Sequence, residues 1–211
     1  MKPISCPIMI FARAPVPGEV KTRLIPMLGP VGAAMLHEGL LLQSLTTALQ
    51  AGAGPVHLWC APSSEHPFFG QCAKEFGVEL CDQPDGDLGA RLAHAFKQTL
   101  TAASCAVTIG SDSPSLTSAD VQEAAAALAQ GADAVLGPAE DGGYVLLGLR
   151  HFAPEVFSGV TWSSEKVASE TRVRLRALNW RWHELPQRWD IDRPEDLARF
   201  LANRGSSMGT A

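Results

Sequence analysis

The stretch Ala106-Val107-Thr108-Ile109-Gly110, followed by Ser111-Asp112-Ser113-Pro114, does most to restrict what this chain can become. Its first residues are apolar and β-branched, long enough for a strand and too short for a helix. Gly-Ser-Asp-Ser-Pro is a turn composition. Thr117-Ser118-Ala119-Asp120 is a capping box, and a helix of Ala, Val and Leu runs on from Val121 to about Gln130. A strand, a carboxylate-bearing turn and a helix place Asp112 at the carboxyl end of a central strand. Open α/β sheets bind their ligands at that edge. Thr117 already supplies the cap, so Asp112 has two readings: it closes an Asx turn ahead of Pro114, or it is kept for a ligand.

With 211 residues, 46% hydrophobic and 18% charged, the chain can bury a core of ordinary size. Residues 1–204 read as one domain and 205–211 as a disordered tail. The net charge of −5 offers no basic field to nucleic acid or to an acidic membrane, so any phosphate site must be local. No apolar run reaches the roughly 18 residues of a membrane span. Met1-Lys2-Pro3 does not open a signal peptide. The five cysteines are odd in number and form no Cys-x-x-Cys. They read as reduced core thiols of a cytoplasmic protein.

The first strand is expected over Ile4 to Phe11, apolar on both faces and therefore central in a parallel sheet. It leads into Ala12-Arg13-Ala14-Pro15-Val16-Pro17-Gly18-Glu19-Val20-Lys21-Thr22-Arg23-Leu24. Prolines stiffen this loop and Gly18 permits a tight turn. Arg13, Lys21 and Arg23 have the composition of a polyphosphate clamp, without a Walker motif. The alternative is a solvated surface loop. A helix follows from Gly32 to Ala51, whose apolar residues suit either the core or a dimer face. Strands at Val56–Cys60 and Val78–Cys81 bracket a helix over Glu65–Phe76, giving βα units and a mostly parallel sheet. After the third strand, Gln83, Asp87, Gly89 and Arg91 lie at the edge that the first loop occupies. They can hold a base or ribose, or Asp87 can simply cap the helix Leu88–Leu100. Strands Ala134–Pro138 and Tyr144–Leu149 are separated only by Ala139-Glu140-Asp141-Gly142-Gly143. That loop is too short for a crossover helix, so the later strand must run antiparallel. Gly142 and Gly143 let a ligand approach the backbone, or serve a plain hairpin turn. Thr161-Trp162-Ser163-Ser164 precedes a helix from Glu165 to Leu178, and Trp180–Leu185 is the last strand. Asp192 in Asp190-Ile191-Asp192-Arg193-Pro194-Glu195-Asp196 reads as a helix start.

Five motifs, FARAPVPGEVKTRL (11–24), GDLGARL (86–92), GSDSPSLT (110–117), GPAEDGGYVLLGL (137–149) and DIDRPEDL (190–197), occur in order across nearly the whole chain. In them the chain resembles a bacterial family of GT-A-type glycosyltransferase-like proteins, often described as associated with radical-SAM and selenodomain systems. That family is similar to 2-phospholactate guanylyltransferase and, more distantly, to the molybdenum-cofactor guanylyltransferases. The resemblance implies a nucleotide-diphospho-sugar transferase fold: an α/β/α sandwich on a mixed, mostly parallel sheet. Arg13 stands where many relatives have Lys, and Ser113 where many have Cys, which argues against a catalytic thiol.

The chemistry follows from breaking a phosphate linkage in a nucleotide, where negative charge builds and a divalent cation offsets it. Mg2+ or Mn2+ takes oxygen ligands and needs only one or two carboxylates. Asp112 is the expected principal ligand and Asp190 the second, with Asp141 or Asp192 as lesser candidates. Lys21, with Arg13 and Arg23, would stabilise the leaving phosphate; Ala12, Gly18, Gln83, Asp87, Gly89, Arg91 and Ser111 complete a nucleotide subsite. Asp141, Gly142, Gly143 and Trp162 are expected to face the acceptor, with Asp112, Lys21 and Asp141 as the catalytic set. The leading expectation is a glycosyltransferase using a nucleotide sugar and a small-molecule acceptor. The alternatives are a guanylyltransferase-like nucleotidyltransferase that releases pyrophosphate, and a non-catalytic nucleotide-binding protein.

Overall fold

The computed structural model describes residues 5–207, with side chains through Asn203. Seven strands form one sheet in the order β3-β2-β1-β4-β6-β5-β7. They are β1 (Ile8–Arg13), β2 (Val56–Ala61), β3 (Glu79–Asp82), β4 (Ala106–Gly110), β5 (Ala134–Pro138), β6 (Tyr144–Leu149) and β7 (Trp182–Glu184). β6 is antiparallel to both β4 and β5, and every other pairing is parallel. The short 139–143 loop therefore reverses the chain as its length requires. The expected start of β1 at Ile4 lies outside the described residues.

Helices cover both faces. α1 (Ile25–Ala51), α2 (Pro67–Phe76) and α4 (Ser118–Ala129) lie on one side, where Leu41, Leu45, Phe69 and Val121 pack on Ile8, Ile10 and Leu58. On the other side α3 (Leu88–Thr99) and α5 (Val167–Ala177) bring Leu92, Phe96 and Leu175 against Met9, Trp59 and Leu147. α6 (Pro194–Ser207) seats Leu197 and Phe200 against Leu24, Leu40 and Ile191. The result is the three-layer sandwich the motif order implies.

Two boundaries and one expectation about composition differ most from the sequence reading. α1 begins seven residues before the expected Gly32 because a first turn, 25–28, precedes a kink at Gly29, where φ is 67°. Pro30 then opens the longer segment, a position where its missing N–H is no loss. α6 continues to Ser207, past the expected end of order at residue 204. One glycine, Gly205, costs a helix only about 1 kcal/mol and does not stop it; residues 208–211 lie outside the described residues. Finally, Thr22–Ala51 is long and apolar enough for a membrane span by length and composition, against the expectation that no segment is. Leu41, Leu45 and Ala48 on it are completely buried against the sheet and α4, which is how a core helix acquires the same composition.

Candidate active site

The site is built where two turns meet at the carboxyl ends of β4 and β5. The first is Ser111–Leu116, between β4 and α4. The Thr117 hydroxyl caps α4 by accepting from Asp120 N–H, and the Asp120 carboxylate accepts from Thr117 N–H at 2.8 Å. Asp120 does more than cap. It is 4% exposed and receives the Arg188 guanidinium on both oxygens, Nε at 3.0 Å. Burial pushes this carboxyl up, but Arg188 and the Thr117 hydrogen bonds together outweigh it and hold it below the usual range.

The second turn is a strap, residues 187–192, laid along the strand ends. Arg188 N–H donates to Pro138 O at 2.9 Å and Glu140 N–H to Arg188 O at 2.9 Å. Ser113 and Ser115 hydroxyls donate to Trp189 O at 2.8 and 2.7 Å, and Trp189 N–H returns to Ser115 Oγ at 2.8 Å. Ile191 N–H donates to Asp112 O at 3.0 Å. These bonds hold Asp190 beside Asp112. Lys21 closes the arrangement from the first loop. Its side chain is 7% exposed, and its ammonium donates to Asp112 Oδ2 at 2.9 Å and to Ile191 O.

Asp190 is the electrostatic centre. Burial pushes its carboxyl up to about 7, with the Asp112 and Asp141 carboxylates adding to the rise. Asp112 and Asp190 border a cleft of about 840 Å³. Asp141, Gly143, Tyr144, Trp162 and Arg23 also line it. Among the described residues there is no group of three or more His, Cys, Asp or Glu placed to hold a metal. Two carboxylates with oxygen donors only, one of them raised by burial and by its like-charged neighbours, fit a hard cation that keeps several waters, as Mg2+ and Mn2+ do. They offer none of the histidine or cysteine ligands on which zinc sites are usually built.

The expected site residues therefore divide. Asp112, Asp141, Asp190, Gly143, Trp162 and Arg23 share the cleft, and buried Ser111 sits behind Asp112. Lys21 is committed to Asp112 and the strap, and Arg23 is ion-paired with Asp192. Arg13 is exposed, and its carbonyl is held by His37 Nε2 at 2.9 Å; Gly18 is exposed in the same loop. Several expected nucleotide residues have local structural tasks. The Ala12 side chain is buried in β1. Gln83 Nε2 donates to Trp59 O at 2.8 Å and Ala12 O at 3.2 Å, tying β3 to its neighbours. Asp87 is the α3 cap, accepting from Ala90 N–H at 2.8 Å, and Arg91 Nε binds Gly86 O at 2.9 Å.

Two glycines are occupied by protein, not left open for a ligand. A Cβ on Gly142, where φ is +89°, would collide with the Glu165 carbonyl, its carbon at 2.6 Å. Gly142 thus lets the 161–166 segment dock, and Ala168 N–H reaches Gly142 O at 2.9 Å. A Cβ on Gly89 would lie 2.5 Å from Trp162 Cε2, so Gly89 is the seat of that indole. Ser115, Arg188 and Tyr144 were not singled out as site residues by sequence reasoning, and Ser113 was considered there only as the replacement for a thiol. The only sequence signal for the serines was their alternation at 111, 113 and 115.

The sequence profile of a family described as "Uncharacterized protein conserved in bacteria (DUF2064)" matches residues 44–164. No functionally curated protein matches the chain. Among solved structures, a candidate nucleotide-diphospho-sugar transferase from Desulfovibrio desulfuricans G20 is 31% identical, over 90% of this chain and 83% of that one, with a TM-score of 0.82. CMP:2-keto-3-deoxy-manno-octonic acid synthetase complexed with CTP aligns at 14% identity over 96% of this chain and 100% of that one, TM-score 0.62. Glucosyl-3-phosphoglycerate synthase from Mycobacterium tuberculosis, in complex with Mn2+, UDP and glucosyl-3-phosphoglycerate, aligns at 11% identity over 92% and 75%, TM-score 0.58. The last two share the fold with this chain.

Proposed function

The chain belongs to the DUF2064 family of proteins conserved in bacteria, and on that footing we propose that it is a metal-dependent transferase. It moves a glycosyl group from a nucleotide sugar to a small acceptor, and residues 1–204 act as one catalytic domain. The observation that carries this reading is the meeting of Asp112 and Asp190 beside a cleft at the carboxyl edge of the sheet. Asp112 and Asp190 would hold Mg2+ or Mn2+, and the bound cation would offset the charge that builds on a departing diphosphate. Lys21 and the Ile191 carbonyl fix where Asp112 points. The strap, stitched by Ser113 and Ser115, fixes Asp190. The nucleotide lies toward the first loop, near Arg13, and the acceptor toward Asp141 and Trp162.

In the transfer, the acceptor's hydroxyl oxygen bonds to the anomeric carbon of the donor. The bond from that carbon to the diphosphate oxygen breaks, and its electron pair leaves on the nucleoside diphosphate. Asp141, exposed on the cleft, takes the proton. The neighbours support a nucleotide donor: the solved relatives include complexes with CTP and with Mn2+ and UDP. Nucleotidyl transfer, in the manner of 2-phospholactate or molybdenum-cofactor guanylyltransferases, would need a triphosphate clamp in the first loop. Lys21 and Arg23 instead face Asp112 and Asp192, which favours glycosyl transfer. The five free thiols suit a reducing cytoplasm.

Calorimetry with a panel of nucleotides, with and without Mn2+, tests the reading. Nucleotide binding should depend on the cation, and Asp112→Asn should abolish that dependence while thermal unfolding stays cooperative. Sugar nucleotides should yield nucleoside diphosphate on turnover. Pyrophosphate release from triphosphates, or cation dependence unchanged in the variant, would overturn it.

A further inference from the structure

The edge of the sheet opposite the cleft has the reverse charge balance. Residues 172–182 hold four arginines, two tryptophans and no acid, in a chain whose net charge is −5. α5 begins beside the cleft, with Ala168 N–H on Gly142 O at 2.9 Å, and so ends at the far edge. β7 runs parallel to β5, which puts Trp180 and Arg181, just before it, at that same edge. Arg150 follows the antiparallel β6 and arrives there from the other direction. Arg150 N–H donates to Asp133 O at 3.0 Å, and Asp133 N–H to Arg181 O at 2.8 Å. The two arginines therefore leave the backbone on either side of one residue.

At the carboxyl edge the cations meet acids. Here, among the described residues, Arg150, Arg176 and Arg181 form no ion pair. Arg181 Nη2 donates to Gly131 O at 2.9 Å. A Cβ on Gly131 would lie 3.4 Å from Arg150 Nη1 and 3.7 Å from Arg181 Nη2, so two guanidinium groups flank one point. The acids beside them are occupied. Asp133 Oδ2 accepts the Arg181 backbone N–H at 2.9 Å. Glu184 takes the Arg172 guanidinium on both oxygens, at 2.7 and 3.0 Å, and the Trp182 indole N–H at 2.9 Å.

A second, independent feature is aromatic. Arg176 Cζ stands 5.5 Å from the centroid of the Trp182 ring, and His151 meets Trp180 edge on, ring centroids 6.5 Å apart. Arg176, Arg181 and His151 are exposed, Trp180 and Trp182 half-buried. Val173, one turn before Arg176, is 56% exposed. An indole face holds a guanidinium in place without neutralising it. Trp and Arg are enriched among the residues that carry binding energy in protein interfaces, and such interfaces set potentials of opposite sign against each other. Unpaired guanidinium groups interleaved with half-buried indoles fit an acidic polypeptide with apolar side chains. A bare anion fits less well, because α4 ends two residues before Gly131 and its last carbonyls bring partial negative charge to the Arg150–Arg181 pair. A nucleic-acid backbone would run past these few cations onto an acidic chain.

We propose that this amino edge, at Arg150, Arg176, Trp180 and Arg181, docks an acidic segment of another protein. The proposal is independent of the transferase reading, since none of these residues lines the cleft. The test is fluorescence anisotropy on the full chain with a labelled, glutamate-rich dodecapeptide carrying two central leucines, and its glutamine counterpart as the uncharged control. At low salt the glutamate peptide should bind at least roughly fivefold more tightly than the control, and the difference should narrow as salt rises. Arg176 rests on the Trp182 ring, and Arg176→Gln should weaken the glutamate peptide by roughly two- to fivefold, one exposed ion pair. Adding Arg181→Gln should deepen that loss. Trp180→Ala should weaken both peptides by about fivefold or more, as loss of an interface anchor does. Thermal unfolding followed by circular dichroism checks that each variant is folded. Equal affinity for the two peptides, or affinity indifferent to Arg176→Gln or to Trp180→Ala, overturns the proposal. Tighter binding of a DNA duplex of matched charge also overturns it and makes the edge a nucleic-acid surface. Salt-sensitive self-association that is lost in the double arginine variant overturns it as well and makes the edge a contact between copies of this chain.

Discussion

Gly89→Ala should displace the cleft wall without touching any group that meets the nucleotide. The added Cβ would lie 2.5 Å from Trp162 Cε2 and 2.8 Å from Cζ2, where ordinary contact begins at 3.4 Å. The backbone of α3 cannot yield easily, because Asp87 caps it at 2.8 Å and Gly89 is buried in its first turn. The indole must therefore move by about 1 Å, toward the cleft it lines and the Tyr144 edge. Overpacking of this kind costs roughly 1–3 kcal/mol; the open side of the cleft puts this case near the lower half. For a domain of this size that is a fall in Tm of about 2–8 °C. Nucleotide and Mn2+ affinities should stay at wild-type values, while acceptor binding on the Trp162 wall weakens. Trp162→Ala removes the obstacle, so adding Gly89→Ala to it should cost almost nothing, a coupling that a double-mutant cycle reads directly. Differential scanning fluorimetry gives the stability arm and ligand-observed NMR the acceptor arm. A Gly89→Ala protein with wild-type Tm and unchanged acceptor binding would refute the packing of Trp162 on Gly89.

Lys21→Met should destabilise by about 1–2 kcal/mol in urea titration, since it leaves Asp112, 38% exposed, without its counter-ion. Adding Asp112→Asn should restore part of that loss; simple additivity would deny the coupling. Arg188→Leu should cost about 3 kcal/mol by stranding the buried Asp120 carboxylate. The folded pKa of Asp120 is depressed, so its stabilising contribution is present above the unfolded value near 4 and is lost as pH falls through the folded one. The acid limb of wild-type stability should accordingly be steeper than that of Asp120→Asn, and parallel limbs would contradict the assignment.

The fold was legible wherever a segment's own pattern decided its state. Ala-Val-Thr-Ile-Gly at 106–110 and the Thr117–Asp120 box define β4 and the start of α4 without help from the rest of the chain. The reversal of β6 followed from a connection too short for a helix. The start of α1 did not follow, because Gly29 and Pro30 carry the signs of a helix end, and only the packing of Leu24 and α6 shows that a turn of helix precedes them. Gly142 was ambiguous in kind. Asp-Gly-Gly is the composition of a hairpin turn and of a ligand-facing loop alike, and what selects its φ of +89° is the Glu165 backbone, 23 residues further on. The serines at 113 and 115 hide their task for a related reason: hydroxyls in a turn usually bond locally, and these two bond to Trp189.

Charge was the property the sequence represented least well. Three cations after the first strand of an acidic chain look like a phosphate clamp, because local density is all that sequence displays. Folding brings the carboxyl ends of β1, β4 and β5 together, and the cations meet acids from the other two turns: Lys21 meets Asp112, and Arg23 meets Asp192. Further along the same edge Arg188 meets Asp120 and Arg199 meets Glu140. Each pairing leaves less free positive charge for a diphosphate than the composition of the loop promises. In the proposed reaction most of the counter-charge for the leaving group must then come from a cation at Asp112 and Asp190, and the first loop's part is to orient Asp112. The proposed metal dependence thus has its origin in the surplus of carboxylates that this topology gathers at a single edge of the sheet.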